Sequence, residues 1–376
     1  MNVLLLSPAM FVREGGIERL MRLYLKALGE ICEQDEPPHE GGVESLCLSD
    51  GVGKTANSVL AAYSGKSLKR HQGFARNKLR FALAVLRRAR GCDLIVCGHL
   101  NQLVVARLAR LLNPKLRYCV VAHGIEVWRP YTCVERWALR GAERILCVSE
   151  FTRKQMLRFD KRLDPSRLRV VPNALDPQLG LGGAEAASPI PEPKHARTAV
   201  KRVPTILSVG RLARSDSYKG FDTLIEAMPD VLAECPEARL QIVGSGDDLP
   251  RLQALAAECG VADAVHFLGR INDDALRTEY AECSLFALPS RGEGFGLVYL
   301  EAMVHEKPCI GARAGAAPEV IGDAGGLCVG YGNVAELAAA IVELLRHPRE
   351  SAALRKRAQE FSFEHFRERL TEALPH

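Results

Sequence analysis

Leu285-Phe286-Ala287-Leu288-Pro289-Ser290-Arg291-Gly292-Glu293-Gly294-Phe295-Gly296-Leu297-Val298-Tyr299-Leu300-Glu301-Ala302-Met303 decides how this chain is read. It opens as an apolar run of buried-strand length, passes through a glycine-rich loop carrying Glu293, and enters a helix carrying Glu301 one to two turns in. In sheets built from such units, ligands bind at the carboxyl ends of the strands. Gly294 and Gly296 let the backbone approach a ligand, and the helix N-terminus offers free N–H groups to a diphosphate. A carboxylate in such a helix can accept hydrogen bonds from two vicinal hydroxyls, the geometry of a ribose; one in the loop can meet the hydroxyls of a sugar. The alternative is two glutamates on a plain surface helix, and the flanking apolar residues speak against it.

The same alternation recurs on both sides of a break. Pro177 to Arg202 reads PQLGLGGAEAASPIPEPKHARTAVKR, rich in Gly, Ala and Pro without a periodic apolar face, which is linker composition. Before it stand the apolar runs Val3 to Leu6, Leu94 to Cys97, Tyr118 to Ala122, Ile145 to Val148 and Val170-Val171; after it, Thr205 to Val209, Leu240 to Val243, Val265 to Leu268, Leu285 to Leu288 and Pro308 to Gly311. Short buried strands alternating with amphipathic stretches imply parallel sheets covered on both faces. The expected architecture is α/β: two facing, doubly wound, Rossmann-like domains over residues 1–176 and 204–360, a linker over 177–203, and a cleft between them as the default site.

Composition agrees. The chain has 376 residues, 47% hydrophobic and 25% charged, which excludes disorder, collagen and coiled coil and suffices for two domains. Its longest apolar runs fall far short of the ~18 residues a membrane-spanning helix needs. Met1 to Pro8 lacks a basic leader region and a cleavage site, and reads as a first strand of a cytoplasmic protein. The 12 cysteines are scattered, many inside strand-like runs, and read as free thiols in a reducing compartment. Charge is divided unevenly: residues 1–176 carry 29 Lys+Arg and 17 Asp+Glu (29 − 17 = +12), and residues 177–376 carry 21 and 28 (21 − 28 = −7).

Two nucleotide motifs fail. Gly51-Val52-Gly53-Lys54-Thr55 ends like a phosphate-binding loop, but the first glycine of that motif would fall on Leu48. No G-x-G-x-x-G follows any strand, which disfavours a nicotinamide or flavin dehydrogenase. Other strand ends are richer. Gly15-Gly16-Ile17-Glu18 opens an amphipathic helix with Leu20, Leu23, Tyr24 and Ala27 inward, and reads as an anion-approach turn or as a tight turn alone. His123-Gly124-Ile125-Glu126 follows Ala122 and places an imidazole and a carboxylate at a strand end, functional or structural. Ser208-Val209-Gly210-Arg211 and Lys219-Gly220 set two cations near one strand end, where Arg can bind phosphate as a fork and Lys as a point charge; solvated surface cations are the alternative.

Taken together and in order, these residues resemble the retaining glycosyltransferases of family 4, which have the GT-B fold. The likeness runs through Gly15-Gly16-x-Glu18, His123-Gly124, Val148-Ser149-Glu150, Val171 to Asp176, Ser208 to Leu212, Lys219-Gly220, Gly244-Ser245-Gly246, Phe267-Leu268-Gly269 and the E-x7-E pair Glu293 and Glu301. Each match is short; the ordered series covers nearly the whole chain.

The resemblance implies a nucleotide-sugar donor, a GDP-mannose or a UDP-hexose, held mainly by the second domain, an acceptor held by the first, and retention at the anomeric carbon. It assigns His123, Arg211, Lys219 and Glu293 to the reaction centre: the cations on the departing diphosphate, Glu293 on the donor sugar. Donor-binding residues are Gly15, Gly16, Gly210, Gly244, Arg270, Ile271, the segment Gly294-Phe295-Gly296-Leu297, and Glu301 on the ribose. No cofactor and no metal is expected, and no D-x-D motif is found. The family also implies front-face attack with the leaving phosphate taking the acceptor proton. Three departures stand out: the enlarged loop Leu212 to Tyr218, in which Arg214 could compete for the phosphate; Ala314-Gly315-Ala316-Ala317-Pro318-Glu319 in place of a paired glycine before Pro-Glu; and an acidic extension, Glu33 to Gly42, with no assigned role.

Residues 66–90 contain nine Lys+Arg and no acidic residue, with Leu79, Ala82, Leu83 and Leu86 at helical spacing. That apolar stripe is expected against the first sheet, leaving Arg76, Arg80, Arg87 and Arg88 to solvent or a partner. With Glu126, these arginines are candidate acceptor or membrane contacts, and the reading is a peripheral enzyme on an anionic cytoplasmic leaflet acting on a glycan or lipid-linked acceptor. Nucleic acid is not expected, since no aromatic-basic interleaving accompanies the charge. The tail, about 361–376, resembles the family's last helix, which packs back on the first domain. Competing functions are a nucleotide-sugar epimerase of the same fold and a non-catalytic sugar-nucleotide-binding partner.

Overall fold

A computed structural model of the chain describes residues 1–12, 15–34, 41–51, 57–179 and 203–375. Most of the 33–42 extension, the Val52 to Thr55 part of the failed phosphate loop and nearly all of the linker lie outside the described residues. The chain divides into two compact units, Met1–Gln178 with Phe363–His376, and Leu179–Ser362.

The N-terminal unit holds seven strands: β1 (Asn2–Ser7), β2 (Gly42–Cys47), β3 (Leu68–Gly73), β4 (Leu94–Cys97), β5 (Arg117–Ala122), β6 (Arg144–Cys147) and β7 (Leu168–Val170). All are parallel, in the order β3-β2-β1-β4-β5-β6-β7. The helices are α1 (Gly16–Gln34), α2 (Asn57–Tyr63), α3 (Lys78–Arg88), α4 (Leu103–Leu112), α5 (Cys133–Gly141) and α6 (Glu150–Phe159). The chain winds from β1 outward to β3 and then returns to β4 on the other side of β1, so the strand order reverses between β1 and β4. That reversal opens a crevice at the carboxyl ends of those two strands.

The second unit repeats the plan with β8 (Thr205–Val209), β9 (Arg239–Val243), β10 (Val265–Gly269), β11 (Leu285–Leu288), β12 (Cys309–Ala312) and β13 (Gly326–Val329) in the order β10-β9-β8-β11-β12-β13, again all parallel. Its helices are α7 (Phe221–Glu234), α8 (Leu249–Glu258), α9 (Asp273–Glu282), α10 (Leu297–Val304), α11 (Ala317–Gly325), α12 (Val334–Arg346) and α13 (Ser351–Gln359). Here the reversal falls between β8 and β11.

Central strands are apolar along their whole length because helices cover both faces; Leu94, Ile95, Val96 and Cys97 are all fully buried. Every cysteine is a free thiol. The last helix, α14 (Phe363–Ala373), buries Phe366 edge-on against Tyr24 of α1 at 5.1 Å, and Arg367 donates to Glu30 at 2.7 Å.

One expectation is overturned. The inward side of α3 is Phe81 and Val85; of the expected stripe Leu86 packs half-buried against the same core, while Leu79 and Leu83 face out. Leu79 is 71% exposed and Leu83 53%. Phe81 reaches Phe74 edge-to-face at 5.5 Å, and an aromatic that fills the space beside the sheet sets the helix rotation. Arg88 is not left to solvent either: it pairs with Glu44 and donates to Gln72 at 3.2 Å.

Candidate functional site

In the N-terminal unit three strand ends carry the candidates. From β1 the chain runs to Gly15 and Gly16, where α1 begins, and buried Asp50 pins the intervening loop. Its carboxylate accepts the backbone N–H groups of Met10 at 3.1 Å, Phe11 at 3.2 Å and Val12 at 3.3 Å, and faces His71 Nε2 at 3.5 Å. Burial alone would raise the Asp50 pKa; the nearby His71 ring and the hydrogen bond from the Met10 amide outweigh it and hold the group low.

At the ends of β4 and β5, His123 Nε2 lies 2.7 Å from the carbonyl of Gly98. A carbonyl only accepts, so Nε2 carries the proton and Nδ1 is the nitrogen left for a ligand. Glu126 accepts the backbone N–H of His123 at 2.6 Å, so one of its oxygens holds the turn that orients the imidazole. Sequence reasoning missed His99, whose ring lies 6.5 Å from that of His123. Burial pushes the His99 pKa down against the opposing charge of Glu126. Its position two residues after the apolar run of β4 was the available signal.

In the second unit the ends of β8, β9 and β10 lie side by side. Gly210 N–H donates to Val243 O at 3.0 Å and Gly244 N–H to Gly269 O at 2.9 Å, with Arg270 and Ile271 following before α9. Arg211 projects outward, its side chain 70% exposed, with Nε held at 2.6 Å by Asp216. The enlarged loop is a short 3-10 segment, Arg214–Lys219, docked through Tyr218 O, which accepts the N–H of Arg291 at 3.0 Å. Arg214 itself is exposed, and its backbone N–H donates to Asp247 at 3.0 Å.

Lys219 and Glu293 are brought together at 2.8 Å, their side chains only 15% and 16% exposed. Burial works to lower the Lys219 pKa; the charge and hydrogen bond of Glu293 outweigh it, and the ammonium is held above its ordinary value. The backbone of Glu293 is gripped in turn, since its carbonyl accepts the N–H of Ala316 at 3.0 Å. Only a backbone group is used there, so the alanines that replace a glycine pair still support the loop.

Gly296 caps α10 with φ 94°, and a Cβ there would fall 2.5 Å from the Tyr299 ring. Phe295 turns its ring away, onto Phe361 at 5.6 Å, and Leu297 is the first residue of α10. One turn in, Glu301 is 7% exposed and accepts a hydrogen bond from Tyr280 Oη at 2.9 Å. His305 stacks on Tyr280 and donates through Nδ1 to the Glu301 carbonyl at 2.8 Å. Tyr280 was invisible to sequence reasoning, being a helical tyrosine 21 residues before its partner. Arg76 is exposed just past the end of β3, its N–H donating to the Leu48 carbonyl at 2.6 Å, and Arg80 and Arg87 are exposed along α3.

This edge of the second unit offers a fixed cation, a projecting cation, a glycine-approached helix N-terminus and a deep carboxylate. Such a set can neutralise a diphosphate and hold a nucleoside beside it. Two doubly wound units, each an all-parallel sheet whose strand order reverses once, have the GT-B architecture. The family models described as Glycosyltransferase Family 4 and Glycosyl transferases group 1 match residues 42–179 and 191–361. A GDP-mannose-dependent alpha-(1-6)-phosphatidylinositol monomannoside mannosyltransferase of Mycolicibacterium smegmatis is 30% identical over 354 residues, 85% of this chain and 90% of that one. A GDP-mannose-dependent monoacylated counterpart from Corynebacterium glutamicum is 39% identical over 168 residues, 42% and 44% of the two chains. Anabaena Alr3699/HepE, solved in complex with UDP, superposes with a TM-score of 0.73 at 21% identity over 99% of both chains. The chain belongs to glycosyltransferase family 4, group 1, and is a glycosyltransferase.

Proposed function

We propose that this enzyme transfers a hexosyl group, mannose from GDP-mannose, to a lipid-linked glycan acceptor at the cytoplasmic face of a membrane, with retention at the anomeric carbon. The observation that carries the donor half is the half-buried Lys219–Glu293 pair beside Gly210 and the loop leading into α10. Two mannosyltransferase relatives support the base and the sugar. The same relatives, named for phosphatidylinositol mannosides, support a lipid-linked acceptor.

In this reading charge develops on the diphosphate as the glycosidic bond breaks, and Lys219, Arg211 and the N-terminal N–H groups of α10 are aimed there in advance. Fixed groups of this kind need no reorganisation at the moment of reaction. Glu293 holds Lys219 and meets the donor sugar, while Gly244, Arg270 and Ile271 line the nucleoside. On the N-terminal unit, His123 has Nδ1 for a sugar hydroxyl, and the family resemblance gives the Gly15-Gly16 turn an anion-binding role. The leaving phosphate takes the acceptor proton.

A thermal-shift panel of nucleoside diphosphates and nucleotide sugars tests the donor assignment. At about 100 times Kd, GDP or GDP-mannose is expected to add about 2.7 kcal/mol to the native state. That raises Tm by about 5–10 °C for a unit of this size. UDP compounds giving the larger shift would replace GDP-mannose with a UDP-hexose, and no shift from any nucleotide would remove the donor reading. Anomeric NMR of the product reads retention directly.

Tyr280 is expected to orient Glu301 for the ribose. Tyr280→Phe deletes the hydroxyl that fixes one carboxylate oxygen, and hydrogen bonds to charged groups contribute about 1.5–3 kcal/mol. GDP affinity should fall roughly tenfold, about 1.4 kcal/mol, and the loss should shrink for the 2′-deoxy and 3′-deoxy nucleotides, which lack a hydroxyl for Glu301 to hold. Equal losses for ribose and deoxyribose ligands would show that the hydroxyl serves packing alone.

A further inference from the structure

Helices α3, α4 and α5 connect β3 to β4, β4 to β5 and β5 to β6. Right-handed crossovers moving one way along a sheet place all three on the same face. They pack side by side, α3 on α4 and α4 on α5. Each buries one flank: Phe81 and Val85 on α3, Ala106 and Ala109 on α4, Ala138 and Leu139 on α5. The opposite flank of a surface helix is ordinarily polar.

Here it is not. Leu79 and Leu83, i and i+4, run along the outside of α3; Leu108, Leu111 and Leu112 run along α4, the last two 60% and 61% exposed. Val134 and Trp137, i and i+3, continue on α5. Of 13 exposed large apolar side chains among the described residues, seven stand on these three neighbouring helices. The Arg107 guanidinium lies 5.3 Å over the Trp137 ring and bridges α4 to α5.

The charge around the patch is mostly positive: the one carboxylate on the three helices, Glu135 of α5, is tied to Arg129 at 2.6 Å. From Gly51 to Ile125 the sequence holds 14 Lys+Arg and one acidic residue, Asp93, whose carboxylate accepts the N–H of Asn2 at 2.7 Å. Lys78, Arg80, Arg87, Lys115 and Arg140 are exposed on or beside the same helices. A second copy of this chain, seated symmetrically, would bring the same cations against themselves. A nucleic acid would use the arginines and leave the leucines in water. Leucines and a tryptophan among arginines suit the boundary between acyl chains and phosphate head groups.

We infer that the α3–α4–α5 face seats the N-terminal unit on an anionic phospholipid bilayer, with the leucines and Trp137 entering the interface and the arginines meeting lipid phosphates. The inference deepens the proposed membrane setting and rests on it only for a reason to be there. Leu79 and Leu83, which sequence periodicity assigns to the core, are in this account lipid-facing.

The test is flotation of the full chain with phosphatidylcholine vesicles, with and without phosphatidylglycerol, at low and high salt. Binding is expected only with phosphatidylglycerol, weakened by salt. Leu79→Ser with Leu83→Ser, and separately Leu111→Ser with Leu112→Ser, should each lower partitioning roughly tenfold or more with no loss of Tm, because exposed leucines contribute little to folding. Arg80→Ala with Arg87→Ala should weaken binding and flatten its salt dependence. Trp137 fluorescence should shift to the blue on vesicles and be quenched by brominated acyl chains, and Trp137→Phe should remove the shift, since Trp128, the other tryptophan, keeps its indole nitrogen buried. Partitioning of both leucine pairs equal to that of the parent overturns the inference. So does a concentration-dependent dimer that the same substitutions abolish without any vesicle binding, which would make a second copy the occupant. The GDP thermal shift, measured on the same leucine variants, keeps the two readings apart: vesicle binding without a nucleotide response removes the donor assignment alone, and the reverse removes the membrane face alone.

Discussion

Lys219→Met is expected to lower the transfer rate by about three orders of magnitude, the upper range for removing one preorganised group from a developing anion. The ammonium is fixed in advance: Glu293 holds it at 2.8 Å, and its hydrocarbon stem runs past Gly210, within 3.3 Å of where a Cβ would stand. Its raised pKa keeps it charged throughout the physiological range. Methionine keeps the stem and deletes the charge. The substitution also strands the Glu293 carboxylate, 16% exposed, without its cation. Breaking a fully buried pair costs about 3–5 kcal/mol, and partial exposure reduces this to about 2. The double substitution Lys219→Met with Glu293→Gln separates the two effects, because it removes both charges: stability should recover while transfer stays lost. Steady-state rates together with Tm for the three proteins decide the matter. Transfer within tenfold of the parent in Lys219→Met would remove the residue from the reaction centre.

The second large effect is on folding. Gly244 follows β9 with φ 148°, and a Cβ there would stand 1.8 Å from the carbonyl oxygen of Gly210. That oxygen cannot withdraw, because Gly210 N–H is tied to Val243 and Gly244 N–H to Gly269 across three adjacent strands. Gly244→Ala therefore forces strand ends apart and adds strain at a φ that side chains avoid, at a cost of about 3–5 kcal/mol. The expected fall in Tm is roughly 6–20 °C, with nucleotide binding lost alongside because these strand ends carry the proposed donor contacts. Gly16→Ala is the control. A Cβ at Gly16 meets nothing within 4 Å, so its Tm should stay within about 1–2 °C of the parent. Equal behaviour of the two variants would contradict the packing described at Gly244.

Much of the fold is legible in the sequence where burial is two-sided. Strands such as Leu94 to Cys97 and Leu285 to Leu288 must be apolar along their length because helices cover both faces, and such runs stand out. β2 and β3 escape that reading. β3, Leu68-Lys69-Arg70-His71-Gln72-Gly73, is an edge strand, and a polar run of this kind carries no periodic signal. β13 is four residues long and begins at a glycine.

Residues directly after apolar runs are determined by the sequence alone, since a parallel sheet delivers every strand end to one edge. Gly210, Arg211, His123 and Glu293 are found in this way, and the doubly wound class follows from the same alternation. Partners that come from elsewhere in the chain are decided only in three dimensions. Tyr280 meets Glu301 from the preceding helix, Asp216 restrains Arg211, Ala316 grips Glu293, and Glu126 turns back onto the N–H of His123. The rotation of α3 belongs with them. Leu79 with Leu83 and Phe81 with Val85 have the same four-residue spacing, so periodicity offers two inward faces of equal standing. The tertiary structure chooses the phenylalanine, because its ring meets Phe74, and that choice leaves the leucines on the surface.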